Sequence, residues 1–442
     1  MSTKKKYEGF RCNGQYFFCS FPLSLDTYNG CTHFCRYCFS YFNYLINQAT
    51  KGKNFYTDYL STNFNVIERA FRNKPTDKDT KTLKTYRKLI KERMPIHWGG
   101  ISDPFSGFEL IDKEHVSLKL LKLFNEFQYP IIMSTKSKWI VDNPEYLKEI
   151  QENKNFIFQV SLITTNEKLD KVEPGTSVAK RLELIEKVSK TNRVVVRCQP
   201  FIPNFCEEDI EEYIKTIAKK GASALTIEFL KLSAFTSPTV KKAIKDLGVI
   251  LGYDVARYYK YKGVMTATDV EIRTELKRPT IQKFKDLAHK YGMEFYCADN
   301  ALRDMGDGPI CCGIPENYPG FENYFKANIS TGLFKAKKDG VMKFEDVYGK
   351  LRPHEKEFLS QPVSKWLNLG TAEHHVMHSE HTFLDKAGFQ WDNPRHQNSP
   401  AKFFDSIEVA GKDKKGHLIY KYKRHEAPSK GVRGSTRDKT DR

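Results

Sequence analysis

The 442-residue sequence predicts an α/β fold: a partial (β/α)6 TIM-like barrel with a small α+β extension at its C-terminal end. Three observations carry this. Short β-branched or aromatic runs recur from residue 15 onward and read as nearly continuous apolar stretches, as strands buried on both faces must. Longer amphipathic stretches separate them, long enough to cross back over a parallel sheet. Six or seven such units follow one another before residue 300, which suits a curved barrel better than a flat open sheet.

In chain order the predicted strands are "QYFFCSFPLS" (15–24), "PIHWGGIS" (95–102), "YPIIMSTKS" (129–137), "NFIFQVSLIT" (155–164), "NRVVVRCQPFI" (192–202), "ALTIEFLKLS" (224–233) and a later seventh, "MEFYCA" (293–298). The helices between them include 112–127, 177–190 and 207–221. Residues 43–94 form a long Lys-rich connection, expected to be a helical insertion on the surface of a barrel spanning 1–300. After Cys312 the pattern changes. Residues 343–370 read as helix and turn, and 406–424 as two strands joined by a Gly-containing turn, giving an α+β extension over 301–424. The segment 425–442 is basic and poor in apolar residues, the composition of a flexible tail. No internal repeat is present.

Composition bounds the function. Apolar residues make up 40% and aromatics 13%, as in a soluble globular protein, and no run is long enough to span a bilayer. The N-terminus "MSTKKKYEGF" is positively charged but no apolar segment follows it, so a cytoplasmic location without a membrane is expected. There thiols stay reduced, and clustered cysteines are metal ligands more often than cross-links. The net charge of +18 favours a polyanionic partner, and a generally Lys-rich surface is the plainer alternative.

"NGCTHFCRYCFSYF" (29–42) places Cys31, Cys35 and Cys38 in a C-x3-C-x2-C pattern after the first strand. Three thiols are one short of a closed zinc site, which usually takes its ligands in separate pairs. They are also one short of a ferredoxin-type cluster. Other polar residues end the predicted strands: Ser102 and Asp103, Lys136, Ser161, and Arg197 with Gln199. In a barrel of this kind they converge on one face.

The cysteine loop resembles that of the radical S-adenosylmethionine (SAM) superfamily. That resemblance implies a 4Fe–4S cluster held by Cys31, Cys35 and Cys38, with SAM on the open iron and Tyr37 against its adenine. "HWGGISDPF" (97–105), "STKS" (134–137), the stretch 161–185 and "RCQPFIPN" (197–204) are similar to the spore photoproduct lyase-like, or DNA repair photolyase-like, branch. This likeness covers residues 15 to about 235. Carried across by position, Gly99 and Gly100 let the backbone approach the methionyl end of SAM. Ser102 and Asp103 bind its amino group, while Lys136 and Ser161, with Arg197 nearby, face its carboxylate or ribose. Glu173 and Arg181 are expected to be structural partners at a helix start, because "EPG" sets a turn there. The resemblance implies reductive cleavage of SAM to a 5′-deoxyadenosyl radical and hydrogen abstraction from a substrate. It also implies a flavodoxin- or ferredoxin-type electron donor.

The chain departs from that branch in two places. Spore photoproduct lyases carry a hydrogen-donating cysteine just before T-S-D, where this chain has Gly100. They also place tyrosines on both sides of the third cysteine, where this chain has Tyr37 and Phe39. Cys297, Cys311 and Cys312 could hold a second iron–sulfur cluster, bind zinc or supply the missing hydrogen; buried small hydrophobes are the plainer reading. Cys12, Cys19, Cys198 and Cys206 read as ordinary strand or loop cysteines, though Cys12 or Cys19 could complete such a cluster. His374, His375, His378 and His381 form a His-rich stretch without the H-E-x-x-H pattern, better suited to a solvated or substrate-facing helix than to metal. Three functions stay in view. The first is radical chemistry on a nucleic-acid base, as a lyase-like repair or modification enzyme. The second is radical modification of a peptide or metabolite, and the third a non-catalytic nucleic-acid-binding protein with a structural metal.

Overall fold

The structure is a computed structural model and describes residues 7–46, 54–77, 79–234, 237–266, 268–363 and 381–424. Its main sheet has eight strands. They begin with β1 (Phe10–Cys12), β2 (Leu23–Leu25), β3 (Ile96–Trp98), β4 (Ile131–Thr135), β5 (Phe156–Ser161), β6 (Arg193–Phe201) and β7 (Ala224–Phe229). β8 (Leu232–Ser233), β9 (Gly263–Met265) and β10 (Asp269–Ile272) leave it to form a small antiparallel sheet in the order β8-β10-β9. β11 (Glu294–Cys297) returns to the main sheet beside β7, completing the order β1-β2-β3-β4-β5-β6-β7-β11. β2 to β7 and β11 run parallel, and β1 pairs antiparallel with β2 at one edge. No pairing joins β11 back to β1, so the barrel is open. β12 (Val341–Met342), β13 (Ile407–Lys412) and β14 (Leu418–Tyr422) make a third sheet in the order β12-β14-β13, with the expected hairpin turning at Gly416.

The first strand differs from expectation. "GQYF" winds into a 3-10 turn over Gly14–Phe17, and only Leu23–Leu25 pairs in the sheet. The reason is local: the Asn13 side chain accepts the Gln15 amide, and the turn buries Tyr16 and Phe17 against the C-terminal part of the chain. The stretch 43–94 is also more than a surface insertion. Its helices Phe64–Phe71 and Lys81–Lys91 bury Ile67, Phe71, Leu83, Tyr86 and Leu89 in the main core. Phe71 packs on Phe124, Phe127 and Tyr129.

Alternation of side chains explains the interior. One face of the sheet packs Ile96, Trp98, Ile131, Met133, Phe156, Phe158, Val194 and Val196 into the large outer core, under the crossover helices. The other face presents Ile132, Ile157, Val195, Ala224 and Tyr296 to a separate apolar cluster with Ile310, Ile314, Phe321 and Tyr324. The loop after β11 thus plugs one end of the open barrel. The outer core includes Phe325, Leu333, Phe358, Trp391 and Tyr420, so the C-terminal extension is packed onto the barrel as one body.

Candidate active site

The cysteine loop leaves β2 and is pinned on three sides. The Cys31 amide donates to the Phe55 carbonyl at 3.1 Å, the Arg36 amide to Val172 at 3.0 Å, and the Tyr56 hydroxyl to the Cys35 carbonyl at 3.3 Å. Phe34 sits in the left-handed region with φ 55°, which turns the chain between the first two cysteines. The "EPG" turn forms the loop's seat. The Gly175 amide donates to the His33 carbonyl at 3.1 Å, and a Cβ on Gly175 would fall 2.5 Å from the His33 Cα. Only glycine allows backbone to approach backbone this closely. Cys38 then starts the helix Phe39–Ile46.

Asp103 ties this loop to the strand ends. Its buried carboxylate accepts from His33 Nε2 at 2.8 Å, from the Thr135 hydroxyl at 2.9 Å, from the Lys136 amide at 2.7 Å and from the Phe105 amide at 2.9 Å. Burial alone would raise its pKa; the His33 charge and these hydrogen bonds outweigh burial and hold the carboxyl below the usual carboxylate range. Ser102 is engaged as well, its hydroxyl donating to the Tyr28 carbonyl and its amide to Asp26. The two side chains expected to bind the SAM amino group therefore act here on protein groups, fixing the turn at Gly99 and Gly100. Gly99 has φ +89°, and a Cβ on it would lie 2.7 Å from the Ser134 carbonyl oxygen, whereas one on Gly100 meets only the His97 ring at 3.8 Å.

Lys136 follows β4 and reaches back to the cysteines. Its Nζ stands 3.4 Å from Cys35 Sγ, 3.5 Å from the Tyr37 hydroxyl and 5.6 Å from the centre of the Tyr37 ring. It also faces Glu173 Oε1 at 3.5 Å. The other Glu173 oxygen pairs with Arg181, both side chains buried, and Arg181 Nη1 donates to the Ser161 carbonyl at 3.2 Å. Burial raises the Glu173 carboxyl, with the Arg181 charge opposing it. The expected Glu173–Arg181 partnership is thus present, and it links the end of β5 to the ammonium beside the cysteines.

The three thiols are electrostatic neighbours, Cys31 to Cys35 and Cys35 to Cys38. Burial pushes all three up, Cys35 to about 12. Specific groups pull the other way. Backbone N–H groups of His33 and Asp103 point at Cys31, those of Tyr41 and Ser40 at Cys38, and Lys136 acts on Cys35 and Cys38. Core Cys206 also accepts a backbone amide, from Ile202, so the Lys136 ammonium beside two of the loop's thiols is the feature that favours negatively charged sulfur. Among the described residues no group of three or more His, Cys, Asp or Glu side chains closes on a single ion. A cube of four irons is wider than one ion, and thiols spread around it are what the group requires. The donor set fits a 4Fe–4S cluster.

Deeper in the barrel lies a polar belt that the strand patterns do not reveal. Ser134 on β4 accepts from Arg197 Nη1 at 3.0 Å, stands 3.0 Å from His97 Nε2 and donates to Gln159 at 2.9 Å. Arg197 forks onto the Gln199 oxygen at 2.9 and 2.6 Å, and Gln199 donates to Thr226 on β7. Arg197 therefore sits in this belt, and Ser161 meets the site through its carbonyl. Burial, with Arg197 adding to it, drives the His97 pKa down to about 3, so its ring is neutral at physiological pH. No carboxylate pairs with Arg197 among the described residues.

The Cys311 and Cys312 carbonyls cap the belt, accepting from Thr226 at 2.9 Å and Gln159 at 2.9 Å. Arg303, 3% exposed, lies among Cys311, Cys297, Glu228 and Cys19, and its Nε and Nη1 have no hydrogen-bond partner. Cys19, Cys297, Cys311 and Cys312 thus share one neighbourhood, but no three of them close on an ion. Cys297 is buried, its thiol raised well above the ordinary value. Cys12, Cys198 and Cys206 are core residues. His374, His375 and His378 lie outside the described residues, as does the basic tail.

Residues 25–217 match the Radical SAM superfamily, and this segment carries the cysteine loop, the Asp103 turn, Lys136, Glu173 and Arg197. Among solved structures, a cysteine-to-serine mutant of spore photoproduct lyase is 18% identical with a TM-score of 0.46, covering 67% of this chain and 81% of its own. Spore photoproduct lyase complexed with dinucleoside spore photoproduct is 17% identical at TM-score 0.46, covering 65% and 79%. Streptococcus suis SuiB bound to precursor peptide SuiA is 13% identical at TM-score 0.34, covering 65% and 60%. Likenesses this distant assign no substrate. No curated protein matches the chain. Among the described residues no helix is long and apolar enough to cross a membrane.

Proposed function

We propose that this radical SAM enzyme abstracts hydrogen from a nucleic-acid base, in a lyase-like repair or modification reaction. The observation that carries the catalytic part is the anchored cysteine loop with the Lys136 ammonium 3.4 Å from Cys35. Cys31, Cys35 and Cys38 would hold the cluster. When bound, cluster and SAM would supply one-electron chemistry: an electron from a flavodoxin- or ferredoxin-type donor would cleave one carbon–sulfur bond of the sulfonium, leaving methionine and a 5′-deoxyadenosyl radical. Every other task belongs to the chain. Lys136 offers a cation to the SAM carboxylate, Tyr37 a ring for its adenine, and Asp103 with His33 hold the loop between them. Gly100 leaves room beside the turn. The belt of His97, Ser134, Arg197 and Gln199 offers neutral and cationic donors to the polar edge of a base. The base as substrate is supported by the net charge of +18 and by the sequence likeness over residues 15 to about 235. The test is to reconstitute the protein anaerobically, reduce it with dithionite and follow 5′-deoxyadenosine with and without oligonucleotides. Formation that oligonucleotides raise supports the reading; none under any condition refutes it.

A further inference from the structure

Between β7 and β11 the chain builds a module that the catalytic reading does not use. Its helices Pro238–Leu251 and Val255–Lys262 and the β9–β10 hairpin enclose a groove of about 350 Å³, lined by Leu232, Ile244, Ala256, Tyr259, Met265 and Val270 among others. The lining is apolar apart from Ser233 and Lys260, and the module around it is rich in cations. From 238 to 265 the sequence carries Lys241, Lys242, Lys245, Arg257, Lys260 and Lys262 against Asp246 and Asp254. Asp246 is engaged by Lys242 at 2.7 Å, and Asp254 accepts the Arg257 amide as a helix cap, so most of the positive charge is unanswered. Large apolar groups stand in solvent beside these cations: Tyr261 is 63% exposed, Val264 54% and Met265 73%. Exposed apolar groups beside unpaired cations suit a ligand that carries both negative charge and flat apolar faces. The module also sits beside the reaction site. Helix Pro238–Leu251 packs against Phe39–Ile46, which directly follows Cys38, and against Leu169–Val172, which precedes the seat of the cysteine loop.

We propose that this module is the docking surface for a single polynucleotide strand, with one base on Met265 at the groove, another on the exposed Tyr261 ring beside Arg257, and phosphates at the module's lysines. The inference rests on the nucleic-acid reading above and names its surface. Charge complementarity selects the occupant. With Lys242 answered by Asp246, five cations remain. An acidic peptide could meet their charge, but a nucleic-acid strand adds a flat apolar face per base to its phosphate per nucleotide, which the exposed Tyr261 and Met265 also call for. Placement beside the Phe39–Ile46 helix lets neighbouring nucleotides be gripped while one base enters the barrel.

The test uses the full chain and a fluorescent 20-residue oligothymidylate, with binding read by anisotropy between 50 and 200 mM salt. The wild type is expected to bind with affinity falling steeply with salt. K245E/K260E/K262E should weaken binding by at least ten-fold and flatten the salt slope. Y261A/M265S should weaken it about five- to ten-fold while leaving the slope in place, because stacking releases no counterions. Circular dichroism and substrate-free 5′-deoxyadenosine formation should not change in either variant, separating a lost surface from a lost fold. Wild-type binding that both variants retain overturns the surface while sparing the nucleic-acid reading. A wild type that binds no oligonucleotide at 50 mM salt, or prefers vesicles containing phosphatidylserine, overturns the proposal; the radical chemistry is judged separately by 5′-deoxyadenosine.

Discussion

His33, in the middle of the cysteine loop, donates to the Asp103 carboxylate at 2.8 Å across 70 residues of sequence. That contact joins the loop after the first parallel strand to the turn after the second. Asp103→Asn keeps the shape but turns one acceptor oxygen into a donor, facing amides and hydroxyls that also donate. A loss of about 2–4 kcal/mol in unfolding free energy is expected, together with weaker iron retention. Because the folded carboxyl titrates below its usual value, its stabilising effect is complete above about pH 4 and fades as pH falls through the folded pKa. Denaturant melts from pH 3 to 7 check this: wild type and variant should converge toward the acid end.

His97 predicts a second pH dependence. Its folded pKa of about 3 lies below that of a free imidazole, so below about pH 6.5 the unfolded chain takes up a proton that the folded chain refuses. Stability should fall on acidification at up to about 1.4 kcal/mol per pH unit from this group. His97→Gln keeps a partner for Ser134 and removes the titration. Its acid limb should be shallower by up to one proton, which urea titrations at a series of pH values will read.

The two adjacent glycines should respond oppositely. Gly99→Ala forces a side chain into φ +89° and against the Ser134 carbonyl, so about 1–3 kcal/mol should be lost. Gly100→Ala meets the His97 ring at an ordinary 3.8 Å and should stay within about 0.5 kcal/mol of wild type. Thermal melts of the two variants compare them directly.

Arg181→Met leaves the buried Glu173 carboxylate facing only Lys136, at a cost of about 3–5 kcal/mol. The double variant E173Q/R181M should recover part of that loss, since no buried charge is stranded. A double-mutant cycle in chemical denaturation measures the recovery, and strict additivity would contradict the pairing.

How much of this was legible in the sequence depends on how local each signal is. The Cys31, Cys35 and Cys38 spacing is contained in eight residues and needs no partner to be read. The strands β3 to β7 and β11 follow from apolar runs. The belt follows only in part: Arg197 and Gln199 stand out as polar residues near a strand end, while Ser134 in "IIMST" and Gln159 in "FIFQVS" are lost inside runs that read as buried. The plug is equally hidden, since Arg303, Cys311 and Cys312 meet the interior only through a loop that follows the last strand. "QYFF" misleads because its aromatics suit a strand, while the Asn13 cap and the cover from Phe383 and Tyr348 favour a tight turn. Asp103 and Ser102 are legible as polar residues that follow a strand, but their hydrogen-bond partners, a backbone carbonyl and amides from distant segments, leave no mark in the sequence.

The central claim is that three thiols alone hold a four-iron cluster with one corner open to SAM. Iron and acid-labile sulfide, measured with electron paramagnetic resonance after anaerobic reconstitution, test it most directly in the wild type and in the C31A/C35A/C38A variant. The expected result is about four irons and four sulfides per chain, a reduced-cluster signal that shifts when SAM is added, and loss of both in the variant. About eight irons would add a second cluster near Cys311. Iron retained by the variant, or a wild type that takes up zinc and shows no response to SAM, would contradict it.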